Sequence, residues 1–535
     1  MWCVSRISTV RFHRSSILLT PCPRFQLANA VSLSQQKAGI EISSALSVGN
    51  SVYGRSLFAS KFIQAGDCIL KVPYSVQITP DNIIPKLASF LSDDIGGVAR
   101  LAVVILAEQK KGQDSEWAPY INCLPRTGEL HSTIFWTKDE LEMVRQSHIY
   151  QETINHRAYI EKEFSKVKPV CVLDYVSLPH VTSFIHIQMN FRALEHFHQN
   201  FEDVTIESFM HAYATVASRA WETSKGQSLI PFADFLNHNG VSEAFLLSDD
   251  DKEVSEVVAD RDYATGEQVL ISYGKFPNAT LLLDFGFTLP YNVYDQARIC
   301  CATMLQLRYL LTPARRREQS PHPSKRKRKR KETGTGTDCP CLCLDLINNI
   351  LDRISRAICV QIWMSVSQHD PLRAMKLELL HKHWKPSITR GHGFDSSGNS
   401  FTIKEVKSAK GKGKGMPQAL RAFARVLFAT SAQELKDLAM EAAQNDGRLA
   451  RLPLKDMSRE IGAHHMLLSQ ITHMIREYDA SIKSLDSPNS HNSRQFVLRR
   501  QMARDLLSGE LRVLKSASAW LMNYCGTLSR DTGHP

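Results

Sequence analysis

Residues 231–240 read "PFADFLNHNG". An apolar run carries one carboxylate, Asp234, and ends on Asn237-His238-Asn239-Gly240. Taken alone, the stretch has a simple local reading. Asn239 and Gly240 both tolerate positive φ, so the pair marks a turn. The flanks "FADFL" and "VSEAFLLS" then read as strands. On that reading His238 sits at a strand end and Asp234 on the wet face of an edge strand. The rest of the chain decides whether the segment is instead buried and functional.

The chain has 535 residues, too many for a single hydrophobic core, so two or three domains are expected. No apolar run approaches the ~18 residues that span a bilayer, so we expect no membrane partner. A net charge of +11 suggests nucleic acid until it is located. Residues 1–40 carry five basic residues and no acid, and residues 313–331 carry ten against Glu318. Outside these two segments the chain is close to neutral and slightly acidic. No face of it reads as phosphate-binding, and we expect no nucleic-acid partner.

The first forty residues are basic, hydroxylated and free of acids, the composition of an organelle transit peptide. Composition does not separate mitochondrion from plastid. The run "KRKRKRK" (325–331) would direct the protein to the nucleus if its segment is genuine. Twelve cysteines without paired spacing point to reduced thiols. The cluster Cys339, Cys341, Cys343 has no partner pair at zinc-ligand spacing, so no metal is expected.

Residues 46–80 alternate as short strands, with Gly54 interrupting the first. Residues 98–110 read as a helix, "SEWAPYINCLPR" (115–126) as a loop, and 137–200 as mostly helical. Residues 205–222 form an amphipathic helix with Phe209, Ala212, Tyr213 and Val216 on one face and Arg219 near its end. Residues 256–274 read as two strands about 264–267, with Val269, Ile271 and Tyr273 sharing a face. Pro277 and Asn278 suit the start of a short helix and Gly286 its end. From about 372 onward every periodic segment reads as helix. There is no Gly-rich phosphate loop, no G-x-S-x-G elbow and no H-E-x-x-H, which argues against the familiar nucleotide-binding and hydrolase classes.

Three segments, in order, carry a resemblance: "YGRSLFASKFIQAGDCILKVP" (53–73), "VASRAWETSKGQSLIPFADFLNH" (216–238) and "GEQVLISYGKFPNATLLLDFGF" (266–287). Together they resemble the SET-domain protein methyltransferases of the plant Rubisco large-subunit lysine methyltransferase type. "WAPYINCLP" (117–125) is similar to the start of the helical insertion that splits this family's SET domain. "DPLRAMKLELLHKHW" (370–384) and the last helices resemble its C-terminal substrate-binding lobe. The resemblance implies an α+β chain: a β-rich SET domain over 46–296, with a helical insertion at about 115–200, and an all-α substrate-binding domain over 360–525. Residues 297–359 interrupt the family pattern. They read as an atypical basic insertion, disordered, and either a retained intron or a gene-model error.

The implied activity is S-adenosylmethionine-dependent transfer of a methyl group to a lysine amine of a protein substrate, by a monomer. Tyr53, Gly54 and Arg55 would lie along S-adenosylmethionine, with Gly54 letting the backbone approach. Asn237 and His238 would hold its adenine and amino-acid ends, largely through backbone groups. Arg219 and Asp234 match positions near the substrate side chain, and Tyr273 matches the catalytic tyrosine, also facing substrate. Asn278 belongs to the turn packed against the Asn-His segment. Phe285, on the cofactor side, and Trp221 would line the transfer channel. Two positions depart from the family: Thr223 replaces a second arginine, and Phe285 replaces a tyrosine. Both changes remove polar contacts, leaving the acceptor and the number of methyls open. Histidine methylation and a non-catalytic SET scaffold remain alternatives.

The chemistry explains the residue types. Only a neutral amine attacks, yet free lysine has a pKa near ~10.4. A narrow apolar channel disfavours the ammonium, and alignment of donor and acceptor supplies much of the rate. The Tyr273 hydroxyl would orient the amine, and backbone carbonyls near 235–237 would face the positive methyl.

Overall fold

The structure, a computed structural model, describes residues 41–42, 44–51, 54–83, 91–92, 94–167, 204–240, 244, 246–300, 369–383, 400–407, 414–444, 453–486 and 493–531. The expected transit peptide, the basic run, the C-x-C-x-C cluster and Tyr53 lie outside the described residues.

Alternating apolar residues build a set of small sheets in the N-terminal half. The largest is antiparallel, in the order Glu41–Ile42, Cys68–Pro73, Val254–Val258, Leu246–Asp249. Leu46–Ser51 and Gly54–Ala59 form a second antiparallel pair. Trp221–Thr223 and Gly226–Ser228 form a hairpin, and Asn237–His238 runs parallel to Leu270–Ile271. Inward residues Leu57, Ile69, Val72, Leu236, Val257, Val269 and Ile271 share one core. The strand expected to carry Tyr273 is therefore only two residues long. Among the described residues its strand partner is Asn237–His238, itself two residues long, so the ladder ends before Tyr273.

Helix Gly97–Lys111 packs on Ile206–Arg219 in a second core that includes Leu101, Ile105, Phe209 and Val216. Thr205 caps the latter helix through the amide of Ser208. The expected face is the buried one: Phe209, Ala212, Tyr213 and Val216 all lie inside. Between these two helices the insertion contributes Ala118–Ile121, Lys138–Glu142 and Ile149–Val167.

The C-terminal half is helical: Arg373–His383, Gln418–Phe428, Ala432–Gln444, Met457–Leu485 and Arg494–Asp531. The reading of this half as helix alone is corrected by one strand. Ser400–Lys404 pairs antiparallel with Gln296–Cys300. Phe401 and Ile403 alternate inward against Ala297 and Ile299, all buried. The expected boundary at 296 therefore moves: residues through Cys300 belong to a packed strand.

The last helix joins the halves. Arg499 donates to Glu140 Oε2 (2.7 Å) and to the carbonyl of Phe135 (3.1 Å). Glu510 accepts from Ser147 (2.8 Å) and from Tyr478 (2.9 Å). Thr288 donates to Asp505 (2.9 Å) and Arg512 to the carbonyl of Asn292 (2.6 Å). One helix thus holds both the insertion and the segment that follows Tyr273. Among the described residues no helix is long and apolar enough to cross a membrane, and no cluster of His, Cys, Asp or Glu is placed to hold a metal.

Candidate active site

The quoted stretch folds inward. Phe232, Ala233, Asp234, Phe235 and Leu236 are all buried. Ala233–Phe235 is a 3-10 turn, so the strand reading of "FADFL" does not hold. The turn begins at Phe232 with φ +69. That is a strained conformation for a bulky residue, costing roughly 1–3 kcal/mol. The Phe232 ring packs edge-on against Phe235 at 5.6 Å, so buried apolar contact offsets the strain.

The turn carries Asp234 into the interior, its side chain 1% exposed. There Oδ2 accepts from Arg219 Nη1 (3.1 Å) and from the Tyr120 hydroxyl (3.2 Å). The same Arg219 nitrogen donates to the Asp234 carbonyl (3.1 Å). Burial pushes the Asp234 carboxyl above its ordinary range, with Arg219 opposing the shift. Among the described residues Asp234 Oδ1 has no hydrogen-bond partner.

The next residues form the parallel pair with Leu270–Ile271, and this pair delivers Tyr273. The Tyr273 hydroxyl donates to the carbonyl of Leu236 (2.8 Å). Its main-chain N–H donates to His238 Nδ1 (3.1 Å). A ring nitrogen that accepts carries no proton, so His238 is neutral with its hydrogen on Nε2. Burial lowers the His238 pKa, and burial raises that of Tyr273 to about 12. Both groups are neutral near pH 7.

Aromatic rings pack about the ring of Tyr273. Tyr273 lies 5.2 Å from Phe285, 6.1 Å from Trp221 and 6.3 Å from Phe287 between centroids. Phe285 is delivered by the turn of helix Asn278–Thr280 that continues as a π-turn over Leu281–Phe285. Gly286 closes that turn at φ +77, and a Cβ there would lie 2.8 Å from the Ser132 amide. Asn278 is fully buried and exchanges bonds with the main chain of Leu289 (2.9 Å each way).

The facing ends of strands Leu46–Ser51 and Gly54–Ala59 are tied to this centre. Asn237 Nδ2 donates to Ser51 Oγ (3.2 Å) and to the Arg55 carbonyl (3.4 Å). Arg55 Nη1 donates to the Cys123 carbonyl, and its guanidinium lies 5.0 Å over the Phe235 ring. Gly54 has φ +98, and a Cβ built on it would meet nothing within 4 Å.

Tyr273, His238, Asn237, Phe285, Arg219 and Asp234 are therefore brought together, with Gly54 and Arg55 in the tied loop. Two of these side chains are engaged within the protein. The Asn237 carboxamide knits the loop, and Arg55 reaches the insertion. Thr223 is satisfied inside its own hairpin by the Gly226 carbonyl and Ser228 (3.0 Å each). Sequence reasoning missed Ser51 and Tyr120. Tyr120 lay within the quoted "WAPYINCLP", but its partner is more than a hundred positions away.

A SET core split by helices, with a catalytic-type tyrosine beside an Asn-His segment, defines the class. The SET domain family matches residues 54–274, and the Rubisco LSMT substrate-binding family matches residues 367–514. The chain thus carries a SET domain followed by a Rubisco LSMT substrate-binding domain, as do the Rubisco LSMT-like methyltransferases it resembles. One relative is the [fructose-bisphosphate aldolase]-lysine N-methyltransferase, chloroplastic, of Arabidopsis thaliana. It is 27% identical over 44% of this chain and 46% of its own length. Another is the ribulose-1,5 bisphosphate carboxylase/oxygenase large subunit N-methyltransferase, chloroplastic, of Nicotiana tabacum. It is 26% identical over 45% of this chain and 47% of its own length. The match spans about half the length of these curated relatives. In fold, the chain aligns with a structure of Rubisco LSMT bound to sinefungin and monomethyllysine. The TM-score is 0.60, with 17% identity, over 95% of this chain and 94% of that one.

Proposed function

We propose that this chain is an S-adenosylmethionine-dependent protein-lysine N-methyltransferase of the plastid, acting on a protein substrate. One observation carries the reading. The Tyr273 hydroxyl is pinned on the Leu236 carbonyl, next to the Arg219–Asp234 pair and within a ring of aromatics. Gly54, at φ +98 with no atom within 4 Å of a built Cβ, leaves its backbone open to the approach of a donor. When bound, the donor supplies an electrophilic sulfonium methyl.

The chain's own groups do the rest. Asn237 holds Ser51 and Arg55 against the centre. Tyr273 donates to Leu236, so its oxygen lone pairs are turned outward to accept from an amine. The half-buried aromatic walls of Phe285 and Trp221 disfavour the ammonium form of an entering lysine. They also favour a cation over their faces once the methyl has been transferred.

The test uses purified protein, methyl-labelled S-adenosylmethionine, and Rubisco and fructose-bisphosphate aldolase as first acceptors, followed by chloroplast extract. Label on lysine with the wild type, falling about 100-fold in Tyr273→Phe, supports the reading. Label on histidine moves the acceptor to imidazole. Equal labelling by both proteins refutes the role of Tyr273. Failure to bind S-adenosylmethionine favours a scaffold.

A further inference from the structure

We propose that Tyr120 is a positioning residue of this site. With Arg219 it fixes Oδ2 of Asp234, and so leaves Oδ1 as the acceptor for an N–H donor of the incoming side chain. The inference rests on the methyltransferase reading above.

Tyr120 sits in the short helix Ala118–Ile121 and is 6% exposed. Its hydroxyl and Arg219 Nη1 converge on one carboxylate oxygen, at 3.2 and 3.1 Å. Two donors on Oδ2 set the plane of the carboxylate and exclude a flip. The other oxygen is buried and unpartnered. Leaving a buried acceptor unpaired costs about 1–3 kcal/mol, so such an atom at a site calls for a ligand. Two donors of the same neighbourhood, Arg219 Nε and Trp221 Nε1, are also buried without partners. One acceptor and two donors complement a ligand that carries both N–H and carbonyl groups, as an amino acid or peptide does.

Tyr120 cannot drift from this position easily. Three residues on, the Cys123 carbonyl is held by Arg55 from the loop at Gly54. The segment from Tyr120 to Cys123 therefore bridges the loop end of the site and its acidic end. Arg219, Tyr120, Arg55 and Tyr273 are the charged and titratable groups that face Asp234. The Tyr120 hydroxyl bond favours the carboxylate, as does Arg219. Removing the hydroxyl should therefore let Asp234 take a proton at higher pH.

The experiment measures L-lysine binding to protein saturated with S-adenosylhomocysteine, by calorimetry across pH, for wild type and Tyr120→Phe. The variant keeps the buried ring. We expect S-adenosylhomocysteine affinity unchanged within about two-fold and lysine affinity lowered about tenfold. We also expect the acid limb of lysine binding to move to higher pH. Installing 3-fluorotyrosine at 120, a stronger donor, should move that limb the opposite way. Lysine binding by Tyr120→Phe with wild-type affinity and the same acid limb overturns the proposal alone. An unmoved limb with 3-fluorotyrosine does the same. A wild type that binds S-adenosylhomocysteine but no lysine overturns the lysine reading, and the proposal with it.

Discussion

The main-chain N–H of Tyr273 donates to Nδ1 of His238 across 3.1 Å, and the two rings stack with centroids 5.1 Å apart. The histidine of the Asn-His pair therefore holds the tyrosine in place. His238→Ala should orphan that N–H, at a cost of about 1–3 kcal/mol in stability. It should also lower methyl transfer through misplacement of Tyr273. Urea midpoints and label incorporation check both. The folded-state pKa of His238 is depressed by burial, so its contribution to stability is present above about pH 6.5. It falls as pH drops through the lower folded value.

Arg219 and Asp234 form a buried pair whose partners are unequal in exposure, 27% against 1% for the side chains. Arg219→Met leaves Asp234 desolvated without its cation, and stability should drop by about 3–5 kcal/mol near neutral pH. The loss should shrink in acid, where the carboxyl takes a proton. The double variant Arg219→Met, Asp234→Leu should recover most of the loss, because no buried charge is stranded. Denaturant titration of the two variants at two pH values decides this.

Gly509 tests sign against sign. In a helix interior alanine is favoured over glycine by about 1 kcal/mol. Here a Cβ would stand 1.9 Å from Asp295 Oδ2, whose carboxylate also accepts from the Asn278 amide at 2.9 Å. Gly509→Ala should therefore destabilise the protein, and loosen Asn278 and the turn that bears Phe285. A rise in thermal midpoint for Gly509→Ala would contradict this packing.

In the C-terminal half, His464 is fully buried beside the Arg425–Glu460 pair. Its Nε2 accepts from Arg421 (2.9 Å), so Nδ1 carries the proton and donates to the Glu460 carbonyl (2.8 Å). Burial lowers its pKa from 6.5 to about 4. In that window the unfolded chain binds the proton first, so stability should fall as pH drops from 6.5 towards 4. The loss amounts to about 3 kcal/mol. His464→Gln should flatten this slope in urea midpoints measured across the window.

The elements with long periodic patterns were legible before any coordinates. Ile206–Arg219 buries the face that its spacing indicated, and the helices after residue 372 lie where their 3.6-residue period put them. Ser400–Lys404 was not legible. Five residues of alternation are too few to signal a strand without the partner Gln296–Cys300. The resemblance put Thr223 at a position where the family carries a second arginine. Only the hairpin reveals that the threonine hydroxyl turns back on Gly226 and Ser228.

Periodicity and residue type located the helices and the buried faces, because local spacing is carried by the chain itself. The class of fold and the grouping of Tyr273, Asn237, His238, Arg219 and Asp234 came from the resemblance of three sequence segments to one family. Tertiary structure decided what each member does. In "PFADFLNHNG", local rules put Asp234 at a wet edge. A strained turn at Phe232, held by packing against Phe235, carries it inside, where Arg219 and Tyr120 wait. No local pattern encodes that partnership, because Tyr120 and Asp234 meet only when the insertion folds back on the SET core. Burial then converts an ordinary carboxylate into one that needs its partners.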